Sequence, residues 1–391
     1  MATSPALPVH VPTASIIAAM LQAQPKASDL IFSPGRPPQV EVRGELVAVP
    51  LVGYEMLEPA QIVAIAEDLV GTNRHAAEQL TRDGSMDIAF ALGNIARFRV
   101  NMFRQRGACA IVMRVVPMSI PSFDDLQLPP QLDEIVGLRN GIVLVTGPTG
   151  SGKSSTLAAI IDRMNVRRPI HIVTIEDPIE FLHQHKVATV HQRELHNDTP
   201  TFSMALRAAL RQAPKVILVG EMRDRETIEI AVEAAETGHL VLSTLHTIDA
   251  SKTVERIIGA FPLGDQAAIR NRLSKSFQYI ISQRLLPRAD GQGRVPILEI
   301  LKSTLRTREY VEKGEQDGKS LLDAMRDGKQ DGMQHFDGEI EKLMRARTIT
   351  LDVGMSYATN ANNLRLEISD FIDELRDEDK AAQAAAAKAA Q

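Results

Sequence analysis

The stretch Ile142-Val-Leu-Val-Thr-Gly-Pro-Thr-Gly-Ser-Gly-Lys-Ser154 joins a short apolar run to a glycine-rich loop. Residues 147–154 match G-x-x-x-x-G-K-[ST], a pattern in which backbone N–H groups cradle phosphates. Apolar residues at helical spacing follow from Leu157 to Met164, so the loop should lead into a helix whose positive N-terminal end faces an anion. Strand, loop and helix in this order predict a P-loop site for a nucleoside triphosphate.

Each part of the loop has a predicted role. Lys153 should reach the β- and γ-phosphates, and the Ser154 hydroxyl should hold Mg²⁺. ATP and Mg²⁺ are therefore the predicted ligands. The predicted nucleotide-binding residues are Gly147, Pro148, Thr149, Gly150, Ser151, Gly152, Lys153, Ser154 and Ser155.

Short apolar runs alternate with helical stretches on both sides of the loop. The runs are Ile142–Val145, Ile170–Ile175, Val216–Val219 and Leu240–Leu245. Runs this continuous indicate strands buried on both faces, which predicts a parallel sheet in an α/β domain. After Pro262 the pattern is largely helical. We expect a helix over Asp265–Leu285, a short stretch Val295–Leu301 and helices to about Asp373.

The chain before the loop has a different pattern, which predicts a compact α+β module. Helices over Ala14–Gln24 and Glu58–Leu69 alternate with strands, among them Met86–Leu92, Ala96–Phe103 and Ala110–Val116. On the second of these strands Phe98, Val100 and Met102 alternate with Arg97, Arg99 and Asn101, which predicts one buried and one polar face. The predicted domains are a flexible leader 1–13, an N-terminal domain 14–116, a Pro- and Asp-rich linker 117–132, an ATPase domain 133–373 with a helical C-terminal subdomain, and a low-complexity tail 374–391.

The composition argues against several classes of protein. Net charge is −5 and aromatic residues make up 4%, which argues against a nucleic-acid motor with basic patches and stacking rings. Cys109 is the single cysteine, so neither an intrachain disulfide nor an all-cysteine zinc cluster can form, in keeping with a reducing cytosol. No apolar run approaches the roughly 18 residues of a membrane span, and no signal peptide is recognisable. We expect a cytoplasmic protein that could dock on a membrane protein.

Two acidic segments are candidates for the hydrolytic chemistry. Glu221 ends the buried run that begins at Lys215, where a P-loop site needs an acid near Mg²⁺; a solvated strand end is the alternative. Glu176, Asp177 and Glu180 follow the run Ile170–Ile175. Carboxyl ends of strands in open α/β sheets form active sites, so one of these acids could orient or deprotonate a water; a polar turn is the alternative.

Histidines and arginines complete the set of candidates. His239 and His246 are seven residues apart on an extended segment and should face opposite sides, which makes them a poor metal pair. His246, at the carboxyl end, is the better candidate for sensing the γ-phosphate, although a purely structural role is the alternative. Arg97, Arg99 and Arg114 suit a solvated strand face, or arginines that reach a neighbour's γ-phosphate if subunits form a ring.

These segments together resemble the secretion ATPase superfamily that powers type IV pili and type II secretion, and within it the pilus-retraction (twitching motility) branch, PilT and PilU. Residues 14–370 share the resemblance. The matching motifs are Gly147–Ser154, Thr174-Ile-Glu-Asp-Pro-Ile-Glu180 (Asp box), Val219-Gly-Glu-Met-Arg-Asp224 (Walker B), Ala234-Ala-Glu-Thr-Gly-His239 with Thr244-Leu-His246 (His box) and Gly332-Met-Gln-His-Phe-Asp337.

The resemblance implies a fold, site roles and partners. It implies a PAS-like N-terminal α+β domain followed by a RecA-like P-loop α/β domain. Glu221 would act on Mg²⁺ and the attacking water, and Glu180, with Glu176, would supply the Asp-box acid. His239 and His246 would be the His-box residues, and Arg97, Arg99 and Arg114 would approach nucleotide across a subunit interface. The partners implied are a homohexameric ring, an inner-membrane platform protein (PilC-like), the pilus machinery and a paralogous retraction ATPase, but no nucleic acid.

The sequence departs from the family in one place that bears on function. Thr304–Lys313 stands where PilT carries its C-terminal signature, which weakens the expectation that this copy retracts pili alone. Residues 363–366 are more similar to PilU. The competing functions are an assembly ATPase, which usually carries a tetracysteine zinc insert, and an accessory nucleotide-binding ring subunit that supports another motor.

Overall fold

The fold is taken from a computed structural model, which describes residues 12–93, 95–116, 119–377 and 380. The chain divides into two compact units. The first contains the chain up to Ile120 together with Asp177–Leu182 and Glu194–Asp198. The second contains Pro121–Glu176, His183–Arg193 and the chain from Thr199 onwards. Two short segments of the predicted ATPase domain therefore pack with the first unit.

The first unit is built on a six-stranded sheet with the strand order β3-β2-β1-β6-β5-β4, in which neighbouring strands run antiparallel. Its helices and strands are α1 (Thr13–Ala23), β1 (Asp29–Phe32), β2 (Gln39–Val42), β3 (Glu45–Ala48), α2 (Pro59–Val70), α3 (Arg74–Asp83), β4 (Ser85–Leu92), β5 (Ala96–Gln105) and β6 (Ala108–Val116). The predicted helices and the three predicted strands are present. Helix α3 was not predicted, because its sequence carries few apolar residues.

Strand β5 confirms the predicted buried face and corrects the polar one. Phe98, Val100 and Met102 are fully buried, as their alternation predicts. Arg97, expected on the solvated face, is only 7% exposed. The prediction was wrong for this residue because its guanidinium donates to the Ile179 carbonyl and to the Glu194 carboxylate, both in segments that join the first unit.

The second unit is built on a seven-stranded sheet with the strand order β13-β12-β7-β11-β10-β8-β9. The strands are β7 (Gly141–Thr146), β8 (His171–Glu176), β9 (Thr189–Glu194), β10 (Val216–Val219), β11 (Leu240–Leu245), β12 (Phe277–Pro287) and β13 (Arg294–Lys302). Strands β12, β7, β11, β10 and β8 are parallel to their neighbours in that order, and β13 runs antiparallel to β12. Every residue of β7, β10 and β11 is buried, which confirms the parallel sheet predicted from the apolar runs.

Ten helices of the described part of this unit surround the sheet or follow it. They are α4 (Lys153–Arg167), α5 (Phe202–Ala209), α6 (Arg225–Glu236), α7 (Ala250–Gly259), α8 (Leu263–Ser276), α9 (Leu305–Lys313), α10 (Leu321–Asp327), α11 (Phe336–Arg345), α12 (Leu351–Tyr357) and α13 (Ala361–Glu367). Short 3₁₀ segments occupy Pro130–Gly137 and Gly328–Asp331. Within the predicted linker, Phe123, Leu128 and Leu132 are buried in the core of this unit.

The predicted helix over Asp265–Leu285 is wrong in its second half. Helix α8 ends at Ser276, and the chain continues as strand β12. Aromatic and β-branched residues predominate from Phe277 to Ile281, which lies between β7 and β13, and a short, largely apolar stretch is compatible with either helix or strand. The stretch Val295–Leu301 is the partner strand β13, and Asp290-Gly291 between them is a hairpin signal that the helical reading missed.

The ends of the predicted domain map lie largely outside the described residues. This applies to leader residues 1–11 and to all of the tail except residues 374–377 and 380. Among the helices of the described ranges, none combines the length and the apolar character needed to cross a bilayer.

Candidate nucleotide site

The loop Gly147–Ser154 lies between β7 and α4, and its glycines leave space that no side chain could share. Gly147 has φ of 144°, and a Cβ there would lie 2.3 Å from the Gln283 carbonyl oxygen. Gly152 caps α4 with φ of 91°, and its Cβ would lie 2.8 Å from Gln283 Nε2. Both residues have positive φ angles, and a Cβ at either position would lie too close to Gln283. Only glycine is tolerated there. The P-loop prediction thus has the strand-loop-helix context it requires.

The floor of the loop is β12, which the sequence did not reveal. Gln283 is 3% exposed, and its Oε1 accepts a 2.7 Å hydrogen bond from Thr156 Oγ1 in α4. Thr146 Oγ1, at the end of β7, donates to Ser282 Oγ at 3.1 Å. The loop is therefore tied to β12 at its entrance and at its exit. These contacts join residues more than 120 positions apart, so only the sheet order could have shown them.

Lys153 lies against the loop itself. Its side chain is buried, and Nζ donates to the carbonyls of Gly147 (2.9 Å) and Pro148 (3.1 Å). Ser151 is 2% exposed, and among the described residues its Oγ finds no hydrogen-bond partner. A buried ammonium and a buried unsatisfied hydroxyl within one glycine-rich loop fit a ligand with anionic oxygens.

Glu221 and His246 meet Lys153 at the same edge of the sheet. Because β10 and β11 are parallel neighbours, their carboxyl ends lie side by side, and these ends carry the two residues. His246 Nδ1 lies 3.4 Å from Lys153 Nζ, and His246 Nε2 lies 3.5 Å from Glu221 Oε2. Because Lys153 can only donate, the neutral tautomer with the proton on Nε2 is the one that satisfies both contacts. Three residues from three separate motifs thus form one continuous row.

One further contact holds Glu221 directly, and another holds the residue before it. Arg223 Nε lies 2.6 Å from Glu221 Oε2, a partner that sequence reasoning did not assign. Thr244 Oγ1 donates to the Gly220 carbonyl at 2.7 Å, which joins the end of β11 to the residue before Glu221. The Glu221 side chain is 18% exposed, so these contacts hold it in a largely buried position.

Glu176 ends β8, next to β10 at the same edge of the sheet. Its Oε1 accepts from Thr174 Oγ1 (2.6 Å) and from Gln192 Nε2 (3.1 Å). These bonds fix the carboxylate in one orientation. Glu180 belongs to the other unit, with the segment Asp177–Leu182.

His239 does not share the site of His246. It precedes β11 at the amino end of that strand, and its Nδ1 lies 3.1 Å from the Ala234 carbonyl. The six residues of β11 separate it from His246, which is seven steps along an extended chain and a distance of about 23 Å at ~3.3 Å per residue. Within one chain the sheet therefore brings only His246 to the loop.

The three predicted arginines of the first unit have different surroundings. Arg97 is buried against Glu194, whereas Arg99, two residues further along β5, is exposed. Arg99 lines a cavity of about 220 Å³ within the first unit, together with Asp87 and Asp177. Arg114 is 72% exposed, and its Nε donates to Asp29 at 3.0 Å.

The comparisons with known proteins show the family of the chain. The sequence model of the family described as type II/IV secretion system protein matches residues 58–323. The chain is 42% identical over 327 residues to a twitching motility protein of Neisseria gonorrhoeae, a match covering 84% of this chain and 86% of that one. It is 38% identical over 349 residues to the type IV pilus ATPase PilU of Pseudomonas aeruginosa, covering 89% of each chain.

A solved structure extends the likeness to three dimensions. The crystal structure of the pilus retraction motor PilT with bound ADP superimposes with a TM-score of 0.81 at 39% identity, covering 90% of this chain and 99% of that one. Both the family model and these relatives span the P-loop and the acids and histidine beside it. The chain therefore belongs to the type II/IV secretion system protein family.

Proposed function

We propose that the chain is an ATP-hydrolysing motor that powers retraction of type IV pili, and with it pilus disassembly and twitching motility. One observation carries the proposal: Lys153, His246 and Glu221 form a continuous row beside a P-loop. The family membership of the chain supports the proposal. Its likeness to a protein named for twitching motility and to the motor PilT, solved with ADP, supports the proposal as well.

The loop supplies the triphosphate site. Backbone N–H groups of residues 147–154 and the N-terminal end of α4 face the β- and γ-phosphates. Lys153 exchanges its bonds to the carbonyls of Gly147 and Pro148 for phosphate oxygens. Ser151 Oγ, which lacks a partner among the described residues, donates to the same group.

The acids and the histidine carry out the chemistry on the water. Glu221 orients the attacking water and takes its proton. It is the carboxylate that contacts His246, which in turn contacts Lys153. His246 presents its Nε2 proton to Glu221, so a γ-phosphate bound by Lys153 also reorients the imidazole. Glu176, held by Thr174 and Gln192, supplies a second fixed carboxylate at that edge of the sheet.

Mg²⁺ fits this donor set. When bound, Mg²⁺ would neutralise the charge that develops on the phosphates. Ser154 and Glu221 would hold it, the latter through water. Mg²⁺ keeps most of its waters and binds few protein groups, so one hydroxyl and one carboxylate are enough protein ligands for it.

The assembly follows from the site's need for further positive charge. We propose a homohexameric ring in which Arg99 and Arg114, both exposed, approach a neighbour's nucleotide. Arg97 is committed to Glu194 and fits a structural role better. We propose a PAS-like fold for the first unit and a RecA-like fold for the second. The ring would work in the cytoplasm on an inner-membrane platform protein of the pilus machine.

One observation favours a second function. The likeness to PilU over 89% of each chain suits an accessory ring ATPase that supports a paralogous retraction motor. The two proposals differ in the phenotype of the single deletion, because an accessory subunit leaves the main motor in place.

The proposal is tested with Glu221→Gln, and with Glu226→Gln as the matched control. Glu226 lies nearby on α6, where it pairs with Arg207 on the surface. Glu221→Gln should bind ATP as the wild type does and release phosphate at least about 100-fold more slowly, as expected for loss of a general base. Glu226→Gln should retain full activity. Phosphate release by Glu221→Gln at the wild-type rate would remove Glu221 from its role.

A further inference from the structure

Arg284 lies on β12, directly after the Gln283 that forms the floor of the loop. Its Nη1 donates to the Tyr357 carbonyl at 2.8 Å, and its Nη2 donates to the Ile248 carbonyl at 3.4 Å. Its guanidinium carbon lies 3.8 Å from the centre of the Phe336 ring. One side chain therefore contacts the end of α12, the start of α11 and the segment between β11 and α7.

That segment carries His246 into the nucleotide site. Residues 247–249 connect His246 to α7, and the β12–β13 hairpin is bonded to this connection once and to the first residue of α7 once. Arg284 binds the Ile248 carbonyl, and Glu299 Oε1 accepts from the Ala250 N–H at 2.8 Å. The position of His246 relative to Glu221 thus depends on a hairpin that is also bonded to the loop.

The two hydrogen bonds of Arg284 differ in length, and the charged donor strengthens the shorter one, the 2.8 Å bond to the Tyr357 carbonyl. Partial burial lowers the pKa of Arg284, while the nearby carboxylates of Glu299, Asp249 and Asp337 oppose that shift. The Tyr357 carbonyl is the last of α12, so the guanidinium also satisfies a helix end that has no partner of its own in the helix.

We propose that Arg284 is a positioning residue that couples the nucleotide site to the C-terminal helices, because it binds the segment carrying His246 and the end of α12 with the same guanidinium. A change at the γ-phosphate that moves His246 also displaces the Ile248 carbonyl. The planar guanidinium of Arg284 transmits this displacement to α12 and α11. The proposal rests on the proposed function only for the identity of the nucleotide.

The chemistry requires arginine. Two carbonyls and an aromatic ring are engaged by three parts of a planar group, and the single ammonium of lysine cannot reach both carbonyls at once. Arg284→Lys keeps the charge and most of the volume. A loss of coupling in this variant therefore comes from the missing guanidinium contacts and not from a missing charge. Arg288, four residues along the same strand and turn, contacts Asp290 at 3.3 Å and serves as the matched control as Arg288→Lys.

The experiment compares wild type, Arg284→Lys and Arg288→Lys as full-length protein. Amide hydrogen exchange of residues 351–367 is measured with ADP and with a non-hydrolysable ATP analogue, beside the dissociation constant for a fluorescent ADP and kcat. In the wild type and Arg288→Lys, exchange over α12 should differ between the two nucleotides. In Arg284→Lys that difference should vanish and kcat should fall about tenfold, which corresponds to ~1.4 kcal/mol, with the dissociation constant within twofold.

Each result decides the proposal. A nucleotide-dependent difference over α12 that persists in Arg284→Lys overturns it, as does a wild-type α12 that responds to neither nucleotide. A uniform rise of exchange over both units, with a lowered melting temperature and weakened ADP binding, shows a structural role only and also overturns it. Absence of hydrolysis in the wild type would refute the proposed function, and the exchange comparison, which needs only binding, would still test the coupling.

Discussion

Replacing Arg97 by alanine should destabilise the protein far more than replacing Arg99. The Arg97 and Glu194 side chains are 8% and 7% exposed, and their atoms Nη2 and Oε2 lie 3.1 Å apart. Removing one partner of a buried ion pair costs about 3–5 kcal/mol. Glu194 keeps bonds from the Ile179 N–H and from Asn197 Nδ2, so we expect about 3 kcal/mol for Arg97→Ala.

The assay is thermal unfolding followed by circular dichroism without nucleotide. At about 3–6 °C per kcal/mol, between the values for domains of 60–100 and of 150–250 residues, Arg97→Ala should lower the melting temperature of the first unit by about 9–18 °C. Arg99→Ala removes an exposed side chain from the same strand and should change it by no more than about 2 °C. Adding Glu194→Gln to Arg97→Ala should restore part of the lost melting temperature, because a neutral amide then replaces a buried carboxylate that has lost its arginine.

Equal melting temperatures for Arg97→Ala and wild type would refute this reasoning. Arg97 would then be free to act at a nucleotide, and its burial against Glu194 would not be what holds Glu194–Asp198 in the first unit. A loss of ATPase activity in Arg97→Ala without a loss of stability would support the same contrary view.

Two further predictions concern the nucleotide loop and Glu299 on β13. Gly147→Ala places a Cβ 2.3 Å from the Gln283 carbonyl and should weaken ADP binding at least about tenfold, measured by fluorescence titration, whereas Gly264→Ala, at a position with open space, should not. Burial raises the pKa of Glu299 from 4.5 to about 7, so the folded state binds its proton more tightly than the unfolded state does. The free energy of unfolding should therefore fall as the pH rises from 4.5 through 7, and in urea titrations Glu299→Gln should show a smaller fall and greater stability at pH 8. A Glu299→Gln variant with an unchanged pH profile would assign that dependence to other groups.

The sequence predicted those parts of the site that are contiguous in the chain. The loop is a local pattern, and β7, β10 and β11 are uninterrupted apolar runs, so both could be recognised without contacts. The row of Lys153, His246 and Glu221 follows once the strands are parallel, because their carboxyl ends then share one edge.

The remainder depends on contacts between distant segments. Strand β12 has the apolar content of a helix or a strand, and only its place between β7 and β13 decides between them. The roles of Gln283 and Arg284 were missed for that reason. Arg97 alternates with apolar residues as a solvated residue would, and the partner that buries it lies 97 positions away.

The most direct test of the central claim is the number of surface pili and the twitching of cells that lack this chain, complemented with wild type, Glu221→Gln or Glu226→Gln. An ATP-driven retraction motor predicts that cells without the chain, and those with Glu221→Gln, carry excess pili and do not twitch, while the other two strains recover. Cells that become bald would contradict retraction and show assembly instead. Normal pili and twitching in the deletion strain would equally contradict an indispensable motor.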